Sequence, residues 1–436
     1  MNESSKLIAD ADAAYRKGDI VFARTKLRRV LDTDPDNLTA LHALAGIAME
    51  QRKYEHAVQF SSRLRDLQPD NVAIRHNLAV ALVQLGQREQ ACRELEKALE
   101  LDPDNLSARL HLGLYLTELG EAMAGCRQYA LATLLAEKQR PAAGGFPPQL
   151  QYLLDGAGRA LSDQREKAYR DEVAGLRAEH GDEALRRIDH AIEIFARKRK
   201  AEYTHPKQRP ATIYIPEMIP RPFFEREDFP WIGELEAATD TIREELLALV
   251  REDFPGFEPY IQLPAGHPSA RAWGELNNSS DWSVLHLYRH GQMIEKNASR
   301  CPRTMEVLSR LPLMIVPSHA PEVVFSVLKP GAHIPLHYGS VNGRLIVHLP
   351  LIVPENCGAL KAGGEARAWQ EGRCLIFDDS IEHEAWNSSD RIRIVMLIDI
   401  WNPQLTPVEQ AAFSGALKSI DAFNVAVLGD DAPRFD

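Results

Sequence analysis

Cysteine is scarce: Cys92, Cys126, Cys301, Cys357 and Cys374 are the only five in 436 residues. They are dispersed and odd in number, and no two form a C-x-x-C pair. This excludes a disulfide framework or a thiolate zinc knuckle and suits reduced thiols in a cytosol. Basic excess is also lacking. Lys and Arg number 51 against 62 Asp and Glu, a net charge of −11, which argues against a general nucleic-acid or anionic-membrane binder. The N-terminus, MNESSKLIADADAAYRKGD, has neither the apolar core nor the cleavage pattern of a signal peptide. No uninterrupted apolar run approaches the roughly 18 residues of a membrane helix. A cytoplasmic chain without membrane insertion is the expectation. Its length predicts more than one domain.

What is present first is a repeat. DTDPDNLTA, DLQPDNVAI and ELDPDNLSA place Pro35, Pro69 and Pro103 at intervals of 34 residues. Leu44, Leu78 and Leu112 hold the same phase, as do Ala23, Ala57, Ala91 and then Gly125. Gly18, Gly86 and Gly120 recur likewise, with Arg52 as the exception. Small residues at fixed places in such a period predict paired antiparallel helices in close approach, with the Pro-Asp-Asn step ending one pair and opening the next. The pattern resembles the tetratricopeptide repeat over roughly residues 4–137, with three full repeats and a degenerate fourth. Stacked pairs of this kind form an α-solenoid with a concave groove. That groove is expected to hold a peptide or protein partner, with a dimerisation surface or spacer as the alternative. The oligomeric state stays open.

The expected organisation is a repeat domain over 1–139, a helical linker region over 140–208 opened by the break RPAAGGFPPQ (140–149), and a second domain over 209–436. The basic run Arg197 to Lys200 reads as a solvated helix end. After Pro210 the texture turns aromatic and proline-punctuated, and EAATDTIREELLALVRED is spaced as a packed helix. From Val323 onward VVFSVL, RLIVHLPLIV, RCLIF and RIRIVMLIDIW read as strands between turn signals. In one of them Arg344, Ile346 and His348 share a face, and in another Arg391, Arg393 and Val395 do. Alternation alone is met by simple solvent exposure of that face, or by a barrel with a polar, ligand-filled interior.

The strings FSVLKPGAHIPLHYGSVNGRLIVHLPL, W-x-E-G-x-x-L-I-F-D-D-S-I-E-H-E-A-W-N and RIRIVMLIDIWNP resemble the aspartyl/asparaginyl β-hydroxylase family. The likeness is dense over 323–405 and thinner through DWSVLHLYRHGQMIEKNASRCPRT. It implies a double-stranded β-helix (a jelly roll, cupin-like) that uses Fe(II), 2-oxoglutarate and O2. Carried over by position, His337 and His383 match the metal ligands and catalytic centre. Ser326 and Arg393 match the pair on the distal carboxylate of 2-oxoglutarate, and His348 matches a contact to its other end. Ile346 stands where the family often has a second Arg, for which Arg344 would substitute only in part. Gly339, two residues after His337, replaces the carboxylate of the usual two-His, one-carboxylate set. The resemblance makes that glycine normal, with water in the vacant place. Asp378 and Asp379 are then partners for metal-bound water or plain turn residues. His180-Gly-Asp182 matches H-x-D but lies in a charge-rich helical stretch, and His290, His319 and His333 read as surface or core residues.

The implied activity is hydroxylation of an Asp- or Asn-type side chain of a peptide or protein recruited by the repeats. A small-molecule or lipid-acyl hydroxylase, and a repeat scaffold with a decayed oxygenase, are the alternatives.

Overall fold

The computed structural model describes residues 3–141, 144–250, 256–264 and 270–429. Ala142 and Ala143 of the expected linker, and Arg251 to Asp253 of the expected helix after Pro210, lie outside these. The chain divides into two compact units, one built on 1–164 and one on 165–423.

In the first unit eight helices form four antiparallel pairs: α1 (Glu3–Arg16) with α2 (Ile20–Thr33), α3 (Leu38–Glu50) with α4 (Tyr54–Leu67), α5 (Val72–Gln84) with α6 (Arg88–Leu101), and α7 (Leu106–Glu118) with α8 (Ala122–Lys138). The repeated Asn of each Pro-Asp-Asn step is a helix cap. Asn37, Asn71 and Asn105 accept from the backbone N–H of Ala40, Ile74 and Ala108 at 3.1, 3.2 and 3.0 Å, satisfying a donor the first turn leaves open. The in-phase alanines Ala23, Ala57 and Ala91 are fully buried. At the fourth such place a β-carbon on Gly125 would lie 2.9 Å from the Gly113 carbonyl oxygen, so this pair packs backbone to backbone.

The turn inside each pair uses one left-handed residue: Gly18 at φ +80°, Arg52 at +56°, Gly86 at +76° and Gly120 at +86°. Arg52 adopts the same backbone as the three glycines, at a steric cost they avoid.

In the second unit, α9 (Pro148–Glu172, which begins in the first), α10 (Ala174–His180) and α11 (Asp182–Phe195) confirm the helical reading of this stretch. The division falls at 164/165 rather than at 140 and 208. Tyr169, Val173, Leu185, Ile188 and Ile192 share one core with Ile213, Ile215 and Phe413, so most of this stretch belongs to the second unit's interior. Arg199 pairs with Glu193 at 2.8 Å and Lys198 with Glu166, as a solvated helix end would. The helix Pro407–Leu428 is long and apolar enough, by length and composition, to cross a membrane. Its Ala412, Phe413, Ala416, Leu417 and Ile420 are instead buried in that core.

Among the described residues twelve strands follow: β1 (Phe223–Phe224), β2 (Glu258–Pro259), β3 (Trp282–Arg289), β4 (Gln292–Met293), β5 (Val323–Leu328), β6 (His333–His337), β7 (Arg344–Ile352), β8 (Ala359–Ala362), β9 (Glu365–Ala368), β10 (Leu375–Phe377), β11 (His383–Trp386) and β12 (Arg393–Trp401). They pair antiparallel into a major sheet ordered β1-β10-β7-β12-β5-β3-β2, with β4 on β3, and a minor sheet ordered β6-β11-β8-β9. One face of the major sheet is predominantly apolar. Leu345, Val347, Leu349, Phe325, Ile394, Met396 and Ile398 pack there with Ile242, Leu246 and Leu249 of the helix Thr239–Leu249. The opposite face therefore turns toward the minor sheet.

Replacing Arg52 by Gly relieves the left-handed strain in the second repeat and is expected to stabilise the repeat unit by about 0.5–1 kcal/mol. The check is a rise in the midpoint of its thermal unfolding; an unchanged or lowered midpoint contradicts this reading of the turn.

Candidate functional site

Between the sheets lies a cavity of about 110 Å3. That is several waters' worth of space, enough for a small organic acid rather than for an ion alone. Its walls follow from the two-residue period of the strands. β7 contributes Arg344, Ile346 and His348, β12 contributes Arg393, Leu397 and Asp399, and β5 contributes Val324 and Ser326. The minor sheet adds Ile334 and His337 from β6, His383 and Ala385 from β11, and Leu360 from β8. Of the two faces that alternation left open to solvent, Arg344, Ile346, His348 and Arg393 are turned inward, Arg393 being 1% exposed, whereas Arg391 precedes β12 and is exposed.

His337 and His383 stand directly opposite one another in the β6–β11 pairing, with ring centroids 4.0 Å apart. Each ring lies 2.8–2.9 Å from a backbone carbonyl two residues earlier, His337 Nδ1 from Pro335 O and His383 Nδ1 from Ile381 O. A carbonyl only accepts, so each Nδ1 carries the proton and each Nε2 keeps its lone pair. Burial holds His337 down to about 3, reinforced by His383, and holds His383 to about 4. Both rings are therefore neutral near pH 7, the form that binds a metal.

Asp379 supplies a carboxylate beside them. Arg344 Nη2 donates to its Oδ2 at 2.6 Å, while its Oδ1 is buried without a protein partner. A β-carbon on Gly339 would fall 2.0 Å from Asp379 Oδ2. The carboxylate from β10–β11 thus fills the space that a side chain two residues after His337 would occupy. Asp378 does not share this role. It accepts from Gln208 Nε2 at 3.1 Å and Ser380 Oγ at 2.5 Å, and burial raises it to about 7. It is the turn residue of the two.

At the other end, Arg393 is buried with its Nε unpartnered, and burial lowers it to about 10. A guanidinium so desolvated calls for an anion. Ser326 Oγ accepts from Trp282 Nε1 at 3.1 Å, which orients its hydroxyl. His348 Nδ1 accepts from Trp369 Nε1 at 3.2 Å. Arg344 lies in the cavity wall too, but its two terminal nitrogens are taken by Asp379 and, at 3.3 Å, by Asp399. Asp399 also accepts from the Glu322 N–H at 2.8 Å, and burial raises it to about 6.

All six expected site residues, His337, His383, Ser326, His348, Arg393 and Arg344, line this one cavity. Sequence reasoning missed Tyr260, Trp282, Glu322, Trp369 and Asp399. Asp399 was reachable by extending the inward face of β12, since it lies an even number of residues beyond Arg393. Trp369 was reachable only as the first residue of the W-x-E-G string. His180 and Asp182 flank the junction of α10 and α11. His333 reaches Glu384 at 2.9 Å, and His319 reaches Asp421 at 2.8 Å. Glu322 accepts from the His290 N–H at 2.6 Å. Among the described residues no group of three or more His, Cys, Asp or Glu is placed to hold a metal, so any ion here rests on two imidazoles.

The two imidazoles, the orphaned Asp379 oxygen and the desolvated Arg393 fit an ion plus a chelating dicarboxylate. Comparison with known proteins agrees with the family likeness. The aspartyl/asparaginyl β-hydroxylase model matches residues 236–403, and two tetratricopeptide models match 8–72 and 48–112. The ornithine lipid ester-linked acyl 2-hydroxylase of Rhizobium tropici is 33% identical over 43% of this chain and 62% of its own. Human aspartate β-hydroxylase domain-containing protein 2 is 34% identical over 47% and 54%. Human aspartyl/asparaginyl β-hydroxylase is 33% identical over 31% and 18%. The chain therefore spans less than two thirds of these curated relatives. Among solved structures, MamA from Desulfovibrio magneticus RS-1 is 19% identical over 32% of this chain and 78% of its own, with a TM-score of 0.30. Residues 236–403 thus match an aspartyl/asparaginyl β-hydroxylase domain, and residues 8–112 match tetratricopeptide repeats.

Proposed function

We propose that this chain is an Fe(II)- and 2-oxoglutarate-dependent hydroxylase of an Asp- or Asn-type side chain, in a peptide or protein that the repeat groove recruits. The observation that carries the chemistry is the opposed pair His337 and His383, neutral, locked in one tautomer, and with ring centroids 4.0 Å apart in the cavity between the sheets. Those two imidazoles would hold the iron. With 2-oxoglutarate and O2, the bound ion would supply the oxidising chemistry that places a hydroxyl on an unactivated carbon.

The protein's share is binding and shielding. Arg393 would pair with the distal carboxylate of 2-oxoglutarate, with Ser326 donating beside it. His348 would contact the other end. Asp379, with one oxygen free of protein partners, would accept a hydrogen bond from water on the ion. Ile346, Leu397, Phe377 and Leu360 exclude solvent around these groups. A groove that holds the substrate chain would raise its effective concentration at the iron. Buried thiols, as all five cysteines are here, suit a reducing cytosol, where we place the reaction. A second reading, hydroxylation of an acyl chain or small molecule, is favoured by the likeness to the Rhizobium enzyme and by Ile346 and Leu397 in the cavity wall. A decayed scaffold fits poorly with a cavity that keeps both imidazoles, Ser326, His348 and Arg393 together.

Freshly reconstituted protein with Fe(II), ascorbate, 2-oxoglutarate and O2 is expected to release succinate slowly without substrate. His383→Ala should abolish the release; a wild type that forms no succinate contradicts the assignment. Stimulation of the release by Asp- or Asn-containing peptides, against none by acyl esters, separates the two substrate readings. A methyl group at residue 339 must displace the Asp379 carboxylate. Gly339→Ala is accordingly expected to weaken Zn(II) or Co(II) binding by about 10- to 100-fold with circular dichroism unchanged, and an unaltered affinity would contradict the part given to Asp379.

A further inference from the structure

Trp369 follows β9 directly and is 5% exposed. It touches two of the groups assigned to the cosubstrate, in two different ways. Its edge meets His348: the indole Nε1 lies 3.2 Å from His348 Nδ1, and the two ring planes differ by 15° with centroids 6.3 Å apart. The rings are thus nearly coplanar, side by side, which aligns the N–H with the in-plane lone pair it meets. Its face meets Arg393, whose guanidinium carbon sits over the ring at 4.6 Å from the centroid.

Each contact has one chemical consequence. An indole N–H only donates, so His348 Nδ1 must accept, and the His348 proton resides on Nε2. His348 is in this way fixed as a hydrogen-bond donor, on the nitrogen that the indole does not cover. The second contact sets the plane of the Arg393 guanidinium through cation–π attraction in a desolvated site. Few other protein contacts compete: Arg393 Nη1 lies 3.5 Å from the Ser326 carbonyl and Nε has no partner. A rigid bicyclic ring therefore fixes the separation and orientation of one donor and one cation on neighbouring strands, His348 on β7 and Arg393 on β12.

We propose that Trp369 is a positioning residue that sets the reach of the cosubstrate pocket. By holding the His348 donor and the Arg393 cation in fixed mutual register, it matches the pocket to the five-carbon chain of 2-oxoglutarate and against the six-carbon 2-oxoadipate. This inference rests on the reading of the cavity as a 2-oxoglutarate site.

The test is binding rather than turnover. The full chain, loaded with redox-inert Zn(II), is titrated with 2-oxoglutarate and with 2-oxoadipate by calorimetry, as wild type and as Trp369→Phe. Phenylalanine keeps an aromatic face but has no N–H. The expected result is about five- to tenfold weaker 2-oxoglutarate binding, the size of one lost hydrogen bond, together with a narrowed preference over 2-oxoadipate. Affinities within twofold of wild type and an unchanged preference would overturn the inference. A second measurement needs no variant. In 15N spectra of histidine-labelled wild type, with the signal assigned by its loss in His348→Gln, the His348 proton is expected on Nε2, and a proton on Nδ1 overturns the proposal even if Trp369→Phe does not fold. A wild type that binds Zn(II) but no 2-oxoglutarate would remove the cosubstrate reading and this inference with it. Tight wild-type binding with an indifferent Trp369→Phe would remove this inference alone.

Discussion

The site depends on one strand pairing. β6 and β11 lie antiparallel so that His337 faces His383 across the ladder. Each imidazole is also tied to a backbone carbonyl two residues before it, at Pro335 and Ile381. Backbone geometry thus fixes both tautomers, while Trp273 packs against the His337 ring and Phe377 against the His383 ring at 5.0 and 5.2 Å between centroids. A one-residue slip of β11 would turn His383 out of the cavity and Glu384 into it, because successive side chains point to opposite faces. The minor sheet is small, and β8 and β9 extend it past β11 and brace that register.

Around this pair the cavity separates its charges. Arg393 and Ser326 lie toward one end of the inward face of β12 and β5, while Asp399 lies six residues further along β12. At about 3.3 Å per residue that is close to 20 Å. Both guanidiniums keep a buried Nε without a partner, but the terminal nitrogens of Arg344 are taken by Asp379 and Asp399, whereas no protein carboxylate pairs with those of Arg393 among the described residues. The two guanidiniums are therefore not equivalent. One is poised for an anion that enters the cavity, and the other holds two carboxylates of the protein in place, one of them beside the paired imidazoles.

Much of this was legible in the sequence, for physical reasons that differ by region. The repeats declared themselves because each helix pair solves the same packing problem: Ala23, Ala57 and Ala91 are small because helices touch there, and Asn37, Asn71 and Asn105 recur because each first turn needs a cap. Arg52 was visible as an exception in phase, though its left-handed backbone was not. In the sheet, the four strands read from Val323 onward form near those positions, and the period of two sorted Arg344, Ile346 and His348 onto one face. That the face points inward was not contained in alternation, which is the same for a wall of a cavity and for an exposed sheet. The short strands β6, β8, β9 and β11 escaped because four or five residues carry too little pattern. Asp379 and Trp369 act through contacts distant in the chain, so their neighbours identify them only as turn and motif residues. The core made by Tyr169, Leu185 and Ile188 with Phe413 likewise joins segments more than 200 residues apart, which placed that stretch with the second unit rather than in a linker.

The most direct test of the central claim is X-ray absorption at the metal edge of Fe(II)- or Co(II)-loaded protein. Two imidazole ligands are expected, with the rest of the shell oxygen, and one fewer in His337→Ala. Three imidazoles, a sulfur ligand, or a spectrum that His337→Ala leaves unchanged would contradict a site built on this opposed histidine pair.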